Sequence, residues 1–197
     1  MDRTQLTSLL NRAAAGDGAA ANEVWTLVYR DIRAMAASAV AGATRRDEFE
    51  PSVVAQEVYL RVAHGATRRW ESRRHFFGAV ARAMEQFLID TARRYAAQKR
   101  DASFVEASVA GLAEAVGSAP ARTGDEALRL FAHLAALEVV SPGAAEVLRL
   151  RYVFGLSGAQ TAAALEIDES EVAALARFGR AFILDRTKAE HAERRSR

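Results

Sequence analysis

The chain of 197 residues has no cysteine and only three prolines. Without cysteine there is no disulfide framework, no thiolate zinc site and no cysteine nucleophile. The lack of thiols agrees with a reducing cytosol. Long hydrophobic runs are missing too: nowhere do about 18 apolar residues follow one another without interruption. The N-terminal stretch MDRTQLTSLL has no apolar signal core. A cytoplasmic protein with no membrane partner is therefore expected. Few β-branched runs occur, while alanine, leucine and arginine dominate. The expected fold class is all-α, in a chain long enough for one domain or two small ones.

Catalytic chemistry is equally scarce. His64, His75, His133 and His191 do not fall at metal-ligand spacing. Gly16-Asp17-Gly18 lacks the strand, lysine and hydroxyl of a phosphate-binding loop, and no nucleophile elbow is found. No enzymatic activity, metal, cofactor or small-molecule substrate is expected.

What the chain does have is charge arranged in blocks. The net charge is only +2. Yet residues 67–100 hold nine basic side chains (Arg68, Arg69, Arg73, Arg74, Arg82, Arg93, Arg94, Lys99, Arg100) against three acidic ones (Glu71, Glu85, Asp90), a local excess of +6. Residues 166–176 hold four acids, Glu166, Asp168, Glu169 and Glu171, and no base. A dense basic block is the footprint of phosphate contact, or else one solvated helix face.

Helical spacing of apolar residues organises the chain. Leu6, Leu9 and Leu10 mark a first helix ending near Gly16-Asp17-Gly18, and Val24, Trp25, Leu27, Val28, Ile32 and Met35 a second. Val54, Val58, Leu60 and Val62 follow Pro51, a favoured first helical residue. Phe76, Phe77, Val80, Met84, Phe87, Leu88 and Ile89 form the stripe of a fourth helix, from near Arg73 to Ala97. Residues 101–124, DASFVEASVAGLAEAVGSAPARTG, are small and weakly charged. That composition predicts a flexible linker with at most one transient helix.

A second helical block begins at Asp125. Ser141-Pro142 predicts a helix start. Ser157 with Gln160, and Asp168 with Glu171, predict two capping boxes. The sequence LSGAQTAAALEIDESEVAALARFGRAF, Leu156 to Phe182, reads as two helices about a tight turn. The expected architecture is two small helical domains, 1–100 and 125–190, joined by the linker 101–124. The C-terminal domain is read as a helix-turn-helix, followed by a frayed polar tail, 191–197.

Three blocks in this order carry a resemblance. WESRRHFFGAVARAMEQFLIDTARRYAAQKR matches the approximate pattern W-x-N-R-x-H-F-F-x-x-x-A-R-x-M-R-R-I-L-V-D-x-A-R-R at Trp70, His75, Phe76, Phe77, Ala81, Arg82, Met84, Leu88, Asp90, Ala92, Arg93 and Arg94, with Arg73 or Arg74 as its arginine. EPSVVAQEVYLRV is similar to Q-P-T-A-L-V-H-E-A-Y-L-R-L. VSPGAAEVLRLRYVFG with the tight-turn segment completes the set. Together they resemble the bacterial RNA polymerase sigma factors of the sigma-70 family, extracytoplasmic-function (ECF) type. The resemblance implies promoter-specific transcription initiation, with core RNA polymerase and promoter DNA as partners. It implies polymerase binding at Ser52, Gln56, Glu57, Tyr59 and Arg61. The −10 element would meet Trp70, Arg73, Arg74, His75, Phe77, Arg82, Gln86, Arg93, Arg94, Lys99 and Arg100, the −35 element Gln160, Arg177 and Arg180. Melting needs flat groups for unpaired bases and cations along the backbone, and the first of these blocks has both. Phe76 belongs to the apolar stripe and is read as core.

Four departures qualify the likeness. Glu85 and Gln86 stand where the pattern has two arginines, which weakens attraction to a polyanion. The polymerase-binding helix lacks an acidic cluster that many ECF sigma factors carry, and has Ser52 where the similar group has threonine. Phosphoserine there would add about −1.5 to −2 charge at a helix N-terminus, so a Ser/Thr kinase is an open partner, as is an anti-sigma factor. Against this stands constitutive binding with Ser52 as a plain helix-start residue. Glu166 replaces the usual turn glycine, at about 1 kcal/mol if the residue is left-handed. Glu171-Val172-Ala173 replaces a threonine–valine–lysine run, leaving an acidic tip. The alternative is a sigma-like protein whose helix-turn-helix binds a protein, either a regulator or its own N-terminal helices, in place of −35 DNA.

Overall fold

The computed structural model describes residues 3–41, 50–64, 69–97, 103–118, 120–121 and 123–195. Among these there is no strand, and the fold is all-α as expected. The helices are α1 (Arg3–Ala14), α2 (Gly18–Ala39), α3 (Pro51–Ala63), α4 (Arg73–Ala97), α5 (Ser103–Ser108), α6 (Ala110–Ala115), α7 (Gly124–Val140), α8 (Pro142–Leu148), α9 (Gly158–Leu165) and α10 (Glu169–Arg195). One π-helical turn, Arg149–Val153, continues α8.

Helix starts fall where side chains can satisfy free amides. Asp17 accepts from the Ala20 amide and is gripped by Arg12 at 2.5 Å. That amide and the guanidinium together hold its carboxyl below the usual range. Glu50 accepts from the amides of Ser52 and Val53 ahead of Pro51. Ser157 and Gln160 form the reciprocal box the sequence predicts. Ser141 precedes Pro142 at the start of α8, although its hydroxyl makes no capping bond. At Asp168 the carbonyl takes the Val172 amide at 3.0 Å, and α10 begins at the next residue. The tail expected to fray continues this helix to Arg195.

α1 packs on α2, α2 on α3 and α3 on α4, joining Leu6, Leu9 and Leu10 to Val24, Ile32, Val58 and Met84 in the interior. α7, α8, α9 and α10 pack on one another through Leu134, Leu137, Leu148 and Ile183. α4 touches helices of both sets: α1, α2 and α3 from the first, α7 and α9 from the second. This central position explains why neighbouring residues on it, Phe76 with Phe77 and Val80 with Ala81, are all buried. A helix with one wet face would expose one of each pair.

The segment read as a flexible linker is different. Over residues 103–118 it forms α5 and α6, with Phe104, Val105, Val109, Leu112, Ala113 and Val116 buried. α5 packs on α2, α4 and α7, and α6 on the π turn. Small, uncharged residues suit a linker, but they equally suit a wedge between larger helices. Gly111 shows the fit, since a Cβ there would lie 2.8 Å from the Tyr152 carbonyl oxygen. The two readings separate only when the neighbours are known.

The turn between α9 and α10 places Glu166 at φ 57°, ψ 39°, the left-handed region that favours glycine. Its amide closes on the Ala162 carbonyl, as does that of Ile167 at 3.2 Å. Glu166→Gly removes the backbone strain but adds freedom to the unfolded chain, so a net gain below about 1 kcal/mol is expected. Thermal unfolding followed by circular dichroism should show a rise of about 2 °C for Glu166→Gly and a fall for Glu166→Val. A lower midpoint for the glycine variant would contradict the left-handed turn.

Candidate nucleic-acid interface

The basic, aromatic block opens with Trp70, which is anchored from both ends of its peptide group. Its amide donates to Asn11 Oδ1 at 2.6 Å, and its carbonyl accepts from Asn11 Nδ2 at 2.8 Å. The indole packs edge-on against Phe76 at 5.4 Å and His75 at 5.1 Å, and Phe76 meets Phe77 at 5.5 Å. Trp70 is 4% exposed and Phe77 1%. Of the candidate base-stacking groups, these two lie in the core and His75 is half-buried. The aromatics therefore shape the ridge that carries the arginines. They do not form an open stacking surface in this conformation.

The arginines divide into two sets. Arg93 and Arg94 are exposed on the last turns of α4 and make no ion pair among the described residues. The others are engaged. Arg73 lies over the Phe77 ring at 4.6 Å and 3.5 Å from Asp31. Arg74 donates to Glu146 on α8 through Nε at 3.1 Å and Nη2 at 2.9 Å. Arg82 donates to Glu138 on α7 at 3.1 Å. Gln86 is exposed and donates to Asp90 at 2.6 Å. Lys99 and Arg100 lie outside the described residues, as does Arg68.

Glu85, expected to face the nucleic acid, points inward. It is buried and accepts from Arg149, the first residue of the π turn, which also donates to Glu138 at 2.7 Å. A continuous chain results: Glu85, Arg149, Glu138, Arg82. Burial pushes the Glu85 carboxyl up despite the pull of Arg149. Burial also works against the charge on Arg149, but Glu85 and Glu138 outweigh it and its pKa rises. Arg149 was missed in the sequence reading. Its only trace there was the carboxylate at position 85, where the family pattern has arginine.

α3 carries the candidate polymerase contacts, and they face two ways. Gln56 is exposed, with Val53 and Leu60 exposed on the same face one turn to either side. Those two apolar residues were not among the expected contacts. Glu57 pairs with Arg61 at 2.7 Å, and Arg61 also reaches Asp90 on α4 at 3.6 Å. Tyr59 turns back onto α2, donating to the Ala21 carbonyl at 3.3 Å and packing against Trp25 with ring centroids 4.4 Å apart and planes tilted by 53°. Burial raises its pKa. Ser52 is half-exposed, its hydroxyl donating to Glu50 at 3.0 Å and accepting from Arg33 Nε at 3.1 Å.

On the tight-turn unit, Asp168, Glu169 and Glu171 are exposed, as are Arg177 and Phe178. Gln160 is held in the capping box, its side-chain oxygen taken by the Ser157 amide at 2.8 Å. Arg180 folds back on the Ala176 carbonyl at 3.3 Å. Among the described residues no group of three or more histidines and carboxylates could hold a metal.

A family model described as ECF sigma factor matches residues 3–192. The chain belongs to the ECF sigma factor family. No match was found among curated proteins or among solved structures. ECF sigma factors act in transcription initiation, with core RNA polymerase and promoter DNA as partners. None of the described helices of this one is long and apolar enough to cross a membrane.

In this ECF sigma factor Trp70 is a core residue, so Trp70→Ala should cost about 3–5 kcal/mol. The paired change Arg93→Ala/Arg94→Ala touches exposed side chains and should stay within about 0.5 kcal/mol per site. Denaturant unfolding of both variants checks this. A Trp70→Ala protein as stable as wild type would place the indole outside the core.

Proposed function

We propose that this ECF sigma factor binds core RNA polymerase through the outward face of α3 and engages the −10 element with α4 and the residues before it. Residues 1–100 then act as sigma region 2 and residues 125–190 as an atypical, acidic sigma region 4. Residues 101–124 join them and 191–197 form a polar tail. The family match along residues 3–192 is the observation that carries this reading. The exposed row Val53, Gln56 and Leu60 supports α3 as the docking face, because exposed apolar side chains flanked by polar ones suit a partner surface. Promoter phosphates have Arg93 and Arg94 available from the start.

Phosphorylation of Ser52 is the control we favour. Its hydroxyl already lies 3.1 Å from Arg33 Nε, a cation able to hold a phosphate in place. Glu50, now hydrogen-bonded to that hydroxyl, would be repelled and turned toward solvent. The start of α3 would gain about −1.5 to −2 charge beside a favourable helix dipole. This restores the acidity that the helix lacks in its sequence.

A second reading keeps the sigma-like fold but assigns the C-terminal helices to protein contact in place of the −35 element. One observation favours it: Glu138 and Glu146 of those helices already hold Arg82 and Arg74.

Core-polymerase affinity of wild type, kinase-treated wild type, Ser52→Ala and Ser52→Glu, with run-off transcription from the same samples, tests the proposal. Treated wild type should bind about tenfold tighter, equivalent to about 1.4 kcal/mol, and treated Ser52→Ala should not respond. Equal affinities throughout would leave a constitutive sigma factor. No binding by any form would overturn the sigma reading.

A further inference from the structure

Two helical stripes face each other across an open groove. On α4, Arg82, Glu85, Gln86, Ile89 and Arg93 recur at the spacing of one helix face, and on α7 Leu128, Phe131, Ala132, Ala135 and Glu138 do the same. They line a cleft of about 360 Å³, with the nearly buried Arg149 of the π turn at its floor. Small side chains keep the groove open, because Ala132 and Ala135 are exposed on its α7 wall and contribute only methyl groups. The volume is that of a site for a small ligand.

Charge is distributed unevenly along this groove. At one end Arg82 and Arg149 are answered by Glu138 and Glu85. Arg93 lies further along α4, about 16 Å from Arg82 by helical rise. It is exposed and has no ion-pair partner among the described residues. The lining thus holds three arginines against two carboxylates, and the surplus positive charge sits at Arg93. Arg149 adds to the same sign at the floor, where its Nη1 has no hydrogen-bond partner among the described residues. Between the two ends the walls are apolar, formed by Ile89, Leu128, Phe131 and the two alanines.

We infer that this groove binds a small amphipathic anion, a monocarboxylate whose alkyl chain lies along α7 and whose head group is held by Arg93. A guanidinium with all its donors free suits a carboxylate, which it can grip through two parallel bonds. The apolar walls gain from covering a chain. Other ligand classes fit poorly. Phe131 is the aromatic ring of the lining, and at 2% exposure it offers no face to a nucleobase. A cation meets the surplus positive charge, and a second carboxylate at the far end of the chain meets Glu138. The inference concerns the ligand alone and holds whichever partner α4 meets.

The test is isothermal titration calorimetry of the full chain with decanoate, kept below the concentration at which it forms micelles. 1-Decanol and decyltrimethylammonium carry the same chain on a neutral and a cationic head. Decanoate should bind saturably at one site per chain, decanol about tenfold more weakly, and the cation not at all. Octanoate, two methylenes shorter, should also bind about tenfold more weakly than decanoate. Arg93→Gln should reduce decanoate to the affinity of decanol and leave decanol unchanged. Arg30→Gln, which removes an exposed cation from α2, should change neither. Ala132→Leu/Ala135→Leu fills the groove from exposed positions and should abolish binding of both, with the helical circular dichroism signal retained. Were that variant to misfold, Arg93→Gln would still decide. No saturable binding of decanoate, equal affinity for the three head groups, or unchanged decanoate binding by Arg93→Gln would overturn the site.

Discussion

Arg149 on its π turn, reaching Glu85 in the middle of α4, is the interaction on which the arrangement of this protein depends. It joins two halves that are distant in sequence at a point where both charges are nearly removed from water. A buried pair of this kind adds little net stability, since desolvation consumes most of the attraction. Losing one partner is another matter, because an uncompensated charge is left inside. Such a pair therefore selects a geometry more than it strengthens one. Around it the outer pairs, Arg82 with Glu138 and Arg74 with Glu146, align along the same side of α4.

α4 is consequently a shared element. Its aromatic residues serve a core common to both halves, and its cations are divided between solvent and the C-terminal carboxylates. Arg93 and Arg94 are exposed, whereas Arg74 and Arg82 are held by Glu146 and Glu138. The α3 surface, with Val53, Gln56 and Leu60, lies apart from these ion pairs and is exposed.

Much of this could be read in advance. Helix positions follow from apolar spacing and capping residues, and the limits expected for α4, near Arg73 to Ala97, are those observed. The Ser157–Gln160 box was legible because local hydrogen bonding decides it, and Glu166, standing where the family pattern has its turn glycine, is left-handed. Residues 103–118 were misjudged because burial of small residues has no local signature. Trp70 and Phe77 illustrate the same gap: an aromatic beside arginine suits base stacking and suits a core equally, and only packing partners separate the two.

The sequence by itself determined α1 to α4 and α7 to α10, the order of the blocks and the membership of the ECF sigma factor family, because periodicity, caps and motif spacing act over a few residues at a time. Tertiary structure alone decided which arginines are exposed and which are ion-paired, and that Glu85 is a partner to Arg149. Charge pairing across some sixty residues depends on where the chain returns in space. No local pattern contains that information.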